Sequence, residues 1–126
     1  MRPERVIEFW FQEIDPKLWF KKDVEFDQKV SDLFSEIYEN IKTGKTSEWR
    51  KTPEGRLAEI IVLDQFSRNM FRNTASAFQG DTLAFQLAVE AVRVGDDQKI
   101  PIEKRAFIYL PFMHSEDKKV HEKAVR

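Results

Sequence analysis

The chain has 126 residues, of which 41% are hydrophobic and 13% aromatic, and its 21 basic residues nearly balance its 22 acidic ones. This length and apolar content suit one folded domain and argue against intrinsic disorder. The balanced charge argues against nucleic-acid binding, because phosphate neutralisation needs a basic excess. The absence of cysteine excludes disulfides, thiolate nucleophiles and cysteine zinc sites.

The N-terminal stretch MRPERVIEFW places charges among its apolar residues and lacks the apolar centre of a signal peptide. No run of the sequence approaches the roughly 18 apolar residues that a membrane-spanning helix needs. We therefore expect a soluble, cytoplasmic protein that does not bind membranes.

The first half of the chain is predicted to form three helices. A proline in the first turn predicts a short helix over about 3–12. Apolar residues at helical spacing predict an amphipathic helix over about 23–43, which Gly44 ends. A threonine N-cap followed by a proline begins a third helix over about 53–69. This helix is apolar on nearly every side, which is typical of a central helix.

The second half is predicted to add three more helices. The segment over about 81–94 leaves only a narrow polar strip, so we expect that helix to be largely buried. A polar loop follows over 96–101, and then a short helix over 102–110 that Pro111 closes. Ser115 is predicted to be the N-cap of the last helix. No stretch alternates apolar and polar residues, so the sequence predicts an all-α fold.

The stretch VLDQFSRNMFR carries polar residues into an apolar segment. At about 100° per residue, Asp64 and Arg68 share one face with large apolar side chains. Buried ions must be paired, because unpaired ones cost several kcal/mol of desolvation. One interpretation is a structural ion pair that ties the helix to its neighbours. The other is that Arg68 and Arg72 face a cavity and bind a carboxylate or phosphate.

The stretch RAFIYLPFMHSED repeats this pattern around Tyr109 and His114. A histidine in such a place can be a general base, a ligand-binding group or a structural residue. His114, Asp117 and His121 have a spacing that suits metal ligands, but no HExxH motif accompanies them. We therefore predict no metal and no cofactor.

An aromatic cluster lies near the N-terminus. Trp19 and Phe20 are predicted either to line a groove or to fill the core, together with Phe9, Trp10 and Phe11.

The stretches VLDQFSRNMFRNTASAF and FIYLPFMHSED, with WFKKDVEFDQKV before them, resemble a bacterial family known only as domain of unknown function nine-two-four. The resemblance implies a TPR-like α–α superhelix of about five to seven antiparallel helices, with residues 1–126 forming one domain. Ser67 stands where the family pattern has proline, so we expect a more regular helix there, and His121 stands where it has glutamine. The resemblance implies functional positions at Asp64, Gln65, Phe66, Arg68, Asn69, Phe71, Arg72, Tyr109, Leu110, Pro111, Phe112, His114, Ser115 and Glu116.

Members of that family usually continue with a further helical segment. The chain is therefore expected to be either a short form or a fragment. In both cases a helical stack that ends early leaves an apolar face uncovered, which favours self-association.

The leading hypothesis is a binding or scaffold module that holds a peptide or a small anionic ligand in a helical groove. Arg68 and Arg72 would anchor the anion, and Asp64 would orient Arg68. Hydrogen bonds would come from the rest of the predicted ligand-binding set, which is Tyr109, His114 and Glu116. Two alternatives stay open. One is a small hydrolase with His114 as general base, oriented by Asp64 or Glu116. The other is a purely structural subunit.

Overall fold

The computed structural model describes the backbone of residues 1–125 and the side chains of residues 1–115. In these residues the secondary structure is entirely helical, which confirms the predicted all-α fold. Wider π-helical turns extend the first helix over Phe9–Glu13 and join the third to the fourth over Val62–Phe66. The α-helices are α1 Pro3–Glu8, α2 Val24–Lys42, α3 Pro53–Ile61, α4 Ser67–Met70, α5 Asp81–Arg93 and α6 Ile102–Val125.

The helix ends follow local sequence signals. The side chains of Asp23 and Thr52 accept backbone N–H groups in the first turns of α2 and α3, so both act as N-caps. Gly44 and Gly95, with φ of 81° and 83°, follow α2 and α5 in the left-handed conformation that glycine adopts without strain. The predicted bounds of α2 and α5 are therefore confirmed to within one residue. The helix predicted over about 53–69 is present as α3, the π-helical turn and α4 in succession.

α6 is one helix where the sequence predicts two. Pro111 does not close it, and Ser115 lies inside the helix instead of capping a new one. An interior proline forfeits one backbone hydrogen bond. Here Phe107, Ile108 and Pro111 are buried and Phe112 packs against the core. Tertiary packing on both sides of the proline therefore keeps the helix continuous. None of the helices within residues 1–125 is long and apolar enough to cross a bilayer.

One hydrophobic core joins α1, α2, α3, α5 and α6, and α3 lies at its centre, as predicted. Leu57, Ile60 and Ile61 of α3 have no exposed surface. Phe66, just beyond α3, lies at the middle of an aromatic cluster. Its ring centre is 5.8 Å from that of Phe9, 5.4 Å from that of Trp10 and 4.6 Å from that of Phe34.

α5 is less buried than the sequence predicts. Ala84, Ala88 and Ala91 face the core without exposed surface, whereas Val89 and Val92 on the other side are 41% and 40% exposed. The helix packs mainly against α3 and α6, so its outer face has no neighbour among the described residues. The prediction that this helix is largely buried is therefore wrong for that face.

Candidate functional site

The turn between α3 and α4 positions the first polar motif. It has π-helical geometry over Val62–Phe66, so the helix is not more regular near Ser67, contrary to the prediction. The backbone N–H of Ser67 donates to the carbonyl of Val62, five residues back. In a regular α-helix it would donate to the carbonyl of Leu63. The Ser67 hydroxyl donates to that carbonyl instead, at 2.6 Å.

Asp64 lies inside this turn and is only 1% exposed. Its carboxylate accepts a hydrogen bond from the Gln65 amide at 2.8 Å and lies 3.4 Å from the Arg68 guanidinium. The predicted pairing of Asp64 with Arg68 along the helix is therefore present. A buried carboxylate with several donors satisfies the requirement that buried charges be paired and hydrogen-bonded.

His114 of α6 reaches the same carboxylate from across the fold. Its Nδ1 lies 2.7 Å from Oδ1 of Asp64, although the two residues are 50 positions apart in the chain. Because an ionised carboxylate can only accept hydrogen bonds, the proton of this contact belongs to Nδ1. The other ring nitrogen, Nε2, has no hydrogen bond to any described residue and can contact a ligand.

A second carboxylate fixes Arg68. Asp81, the first residue of α5, accepts from Nη1 and Nη2 of Arg68 at 3.1 and 3.2 Å. Two parallel bonds of this kind match the planar guanidinium to a carboxylate and define its orientation. Arg68 therefore joins the π-helical turn to α5 and is held in one position.

Arg72 is fixed in the same way by Asp27 of α2. Nε and Nη2 of Arg72 donate to the two carboxylate oxygens at 2.6 and 3.0 Å, and the Asn69 amide adds a bond of 2.9 Å. Burial alone would raise the pKa of Asp27, but the bonds from Arg72 and Asn69 outweigh it and lower this pKa below its ordinary value. The bond from Asp27 in turn raises the pKa of Arg72.

These side chains surround a cavity of about 180 Å³. Two arginines and a histidine face it, with two amides and two aromatic rings, and no carboxylate is among the described residues of its wall. Asp27, Asp64 and Asp81 contact these basic side chains but do not line the cavity. The lining residues are Trp19, Phe20, Gln65, Arg68, Asn69, Arg72 and His114.

Three of the six predicted ligand-binding residues, Arg68, Arg72 and His114, line this cavity, and Asp64 contacts two of them without lining it. Tyr109 does not line it, and its hydroxyl instead donates to Asp97 at 2.6 Å. This bond raises the pKa of Tyr109 and lowers that of Asp97. The side chains of Glu116, Asp117 and His121 lie outside the described residues. Among residues 1–115, no cluster of three acidic or histidine side chains could hold a metal ion.

Sequence reasoning missed the two aspartates that hold the arginines. Asp27 and Asp81 lie near the beginnings of amphipathic helices, where an acidic residue is common and carries no specific signal. The stretch WFKKDVEFDQKV contains both Asp27 and the two aromatic residues of the cavity wall. Its inclusion in the family resemblance was the only signal that could have linked them to the site.

Comparisons with known proteins cover nearly the whole chain. Residues 6–126 match a family described as "Bacterial protein of unknown function (DUF924)". The structure is similar to that of a protein of unknown function from Agrobacterium tumefaciens, with a TM-score of 0.86 and 37% sequence identity. The match covers 97% of this chain and 69% of the other. No curated protein matches the chain. All the residues of the cavity wall lie inside the matched range.

Proposed function

Because the chain belongs to this bacterial family of unknown function, whose description names no activity, we propose a function from the geometry of its site. The proposed function is that the cavity binds a small anionic ligand. One observation carries the proposal. The charged groups in the described wall are all basic, while the carboxylates that neutralise them do not line the cavity. An anion entering the cavity would meet hydrogen-bond donors, and no acidic side chain among the described residues of its wall.

The carboxylates also prepare the donors for binding. Asp27 occupies Nε and Nη2 of Arg72, which leaves Nη1 for a ligand, and Asp64 leaves Nε2 of His114. Side chains that are already fixed lose little conformational entropy when a ligand binds. A cavity of about 180 Å³ is smaller than the roughly 300–1,000 Å³ typical of pockets for drug-sized molecules. This size favours a small carboxylate or phosphate compound over a peptide segment.

Inorganic phosphate and acetate, titrated by calorimetry at low salt, test this proposal. Arg72→Met is expected to weaken the binding of whichever anion binds by about 10–100-fold, because a hydrogen bond to a charged group contributes about 1.5–3 kcal/mol. Arg72→Lys keeps the charge but loses the planar fork, so its affinity for the anion should lie between those of the wild type and Arg72→Met. Arg93→Met, on the exposed face of α5, is the matched control.

Arg68→Met separates this function from a structural role. Weaker anion binding supports the proposal. Unchanged anion binding together with a less stable fold would leave only the structural interpretation of the Asp64–Arg68 pair, because Arg68→Met removes the cation that neutralises Asp64 and Asp81. Absence of any heat of binding for both anions, at concentrations up to tens of millimolar, would contradict the proposal outright.

A second function, hydrolysis, is favoured by the contact between His114 and Asp64. A histidine acts as general base when a carboxylate holds its Nδ1 proton and leaves Nε2 free to take a proton from water. Oδ1 of Asp64 lies 2.7 Å from Nδ1 of His114, and His114 lines the cavity. The hydroxide formed would attack the carbonyl carbon of an ester. The bond from that carbon to the alcohol oxygen would then break, and this oxygen would take the proton from Nε2, which gives the alcohol and a carboxylic acid.

Hydrolysis of p-nitrophenyl acetate, followed by absorbance, tests the second function. His114→Gln is expected to lower the rate by about 10²–10⁴-fold, the usual contribution of a general base. Equal rates for the two proteins, or a wild-type rate no higher than that of buffer, would eliminate this function without affecting anion binding.

The predicted self-association stays a prediction. α6 exposes an apolar stripe at helical spacing, formed by Ile102, Ala106, Tyr109 and Met113, which is the kind of surface that a second copy could cover.

A further inference from the structure

One wall of the cavity is aromatic and rigid. The indole N–H of Trp19 donates to the backbone carbonyl of Trp10 at 2.9 Å, which fixes the ring in its plane. The Trp19 ring also meets Phe107 edge to face, with ring centres 5.0 Å apart and planes at 84°. Phe11 contacts it in a similar edge-to-face manner at 5.7 Å. Trp19 therefore presents a fixed aromatic surface to the cavity.

Phe20 adds a second ring at the same wall, and this ring is largely uncovered. Its side chain is 70% exposed, although it lies nearly parallel to Phe107, with ring centres 6.1 Å apart and planes at 14°. A phenyl ring left in water gains free energy when another apolar group covers it. Phe20 thus covers Phe107 with part of its ring, and most of its remaining apolar surface is not covered by any described residue.

The aromatic wall and the basic wall belong to the same small cavity. Trp19 and Phe20 line it together with Arg68, Arg72 and His114. We infer that the ligand is a monocyclic aromatic anion, in which a planar ring carries a carboxylate or phosphate group. The ring would lie against Trp19 and Phe20, and the anionic group would accept hydrogen bonds from the arginines and the histidine. This inference rests on the proposed anion binding and adds to it the apolar half of the ligand.

Paired probes isolate the contribution of the ring. Benzoate is compared with acetate, and phenyl phosphate with inorganic phosphate, so that each pair shares its anionic group. The aromatic member is expected to bind about tenfold tighter than its partner, because a favourable aromatic contact and the burial of a ring each strengthen binding. Calorimetry measures the affinities, and the indole N–H signal of Trp19 in NMR spectra reports on the wall directly.

Phe20→Ala tests the placement of the ring without removing any buried group. The variant is expected to weaken benzoate binding by about fivefold to tenfold and to leave acetate binding unchanged. Ile102→Ala truncates another exposed apolar side chain, which lies away from the cavity, and should change the affinity for neither benzoate nor acetate. The ratio of the two affinities therefore cancels general effects of the substitution on the fold.

The outcomes distinguish the two proposals. If acetate and benzoate bind equally and both are weakened by Arg72→Met, the anion site stands and the aromatic ligand is overturned. If benzoate is preferred but Phe20→Ala leaves the preference intact, the ring does not lie at this wall and the inference is again overturned. If no probe binds, anion binding itself has failed.

Discussion

Replacing Asp64 with alanine is expected to lower the free energy of unfolding by about 3–5 kcal/mol. The carboxylate is buried and accepts from Gln65 and His114, and it also neutralises Arg68. Its removal takes a buried acceptor away from all three donors and leaves a small void as well. Urea denaturation at pH 7, followed by circular dichroism, measures the change.

A matched comparison shows whether burial is the cause. Glu90→Ala removes one partner of an exposed ion pair on α5 and is expected to leave the urea midpoint unchanged. Asp64→Asn keeps the shape of the side chain and one acceptor oxygen, so it should lower the free energy of unfolding by less than Asp64→Ala does. If Asp64→Ala costs no more than Glu90→Ala, the network around Asp64 does not stabilise the fold.

Arg50→Met is expected to lower the free energy of unfolding by about 3 kcal/mol, because it leaves the buried carboxylate of Glu59 without its charged partner. Glu59 lies on the central helix α3 with no exposed surface. Arg50 donates to its carboxylate at 3.0 and 3.4 Å, and the Thr46 hydroxyl donates at 2.9 Å. Without Arg50 a buried carboxylate keeps only one neutral donor. Urea denaturation at pH 7 again gives the free energy.

The second substitution Glu59→Gln, added to Arg50→Met, should recover most of that loss. The neutral amide removes the unpaired charge, and its oxygen still accepts from Thr46. Replacing both members of a buried ion pair is often close to neutral, whereas removing one is costly. A double variant no more stable than Arg50→Met alone would show that lost packing, and not the unpaired charge, causes the destabilisation.

Local signals explain why much of the fold could be predicted. Asp23 and Thr52 cap helices with their own side chains, and Gly44 adopts a conformation that few other residues tolerate. Each effect depends on a few neighbouring residues, so it can be recognised without knowledge of the tertiary structure.

The error at Pro111 has the opposite origin. A proline is a strong local signal for the end of a helix, but α6 continues because Phe107 and Phe112, on either side of it, both pack against the rest of the protein. That packing depends on residues far away in the chain. The exposed face of α5 was mispredicted for the same reason, since only the assembled fold shows which of its sides has a neighbour.

The candidate site was predictable only where its partners are close in sequence. The spacing of Asp64 and Arg68 places them together on any helix. The contact of Asp64 with His114 spans 50 positions, and that of Arg72 with Asp27 spans 45. No periodicity relates such residues. The helices that carry them must first be packed, and the pairing then follows from the packing.

The π-helical turn over Val62–Phe66 changes how many residues fit into this helix. A π turn accommodates one residue more than a regular turn does. A chain with one residue deleted there could return to regular α-helical geometry, with its caps and core unchanged before the deletion. Ser67 would then be the fourth residue after Val62 and would donate to the same carbonyl, so the side chains beyond the deletion would keep their orientation relative to α3. Arg68 and Arg72 would still face Asp81 and Asp27. Evolution could thus insert or delete one codon in this turn and alter only the turn itself, Asp64 included, while both arginines keep their partners.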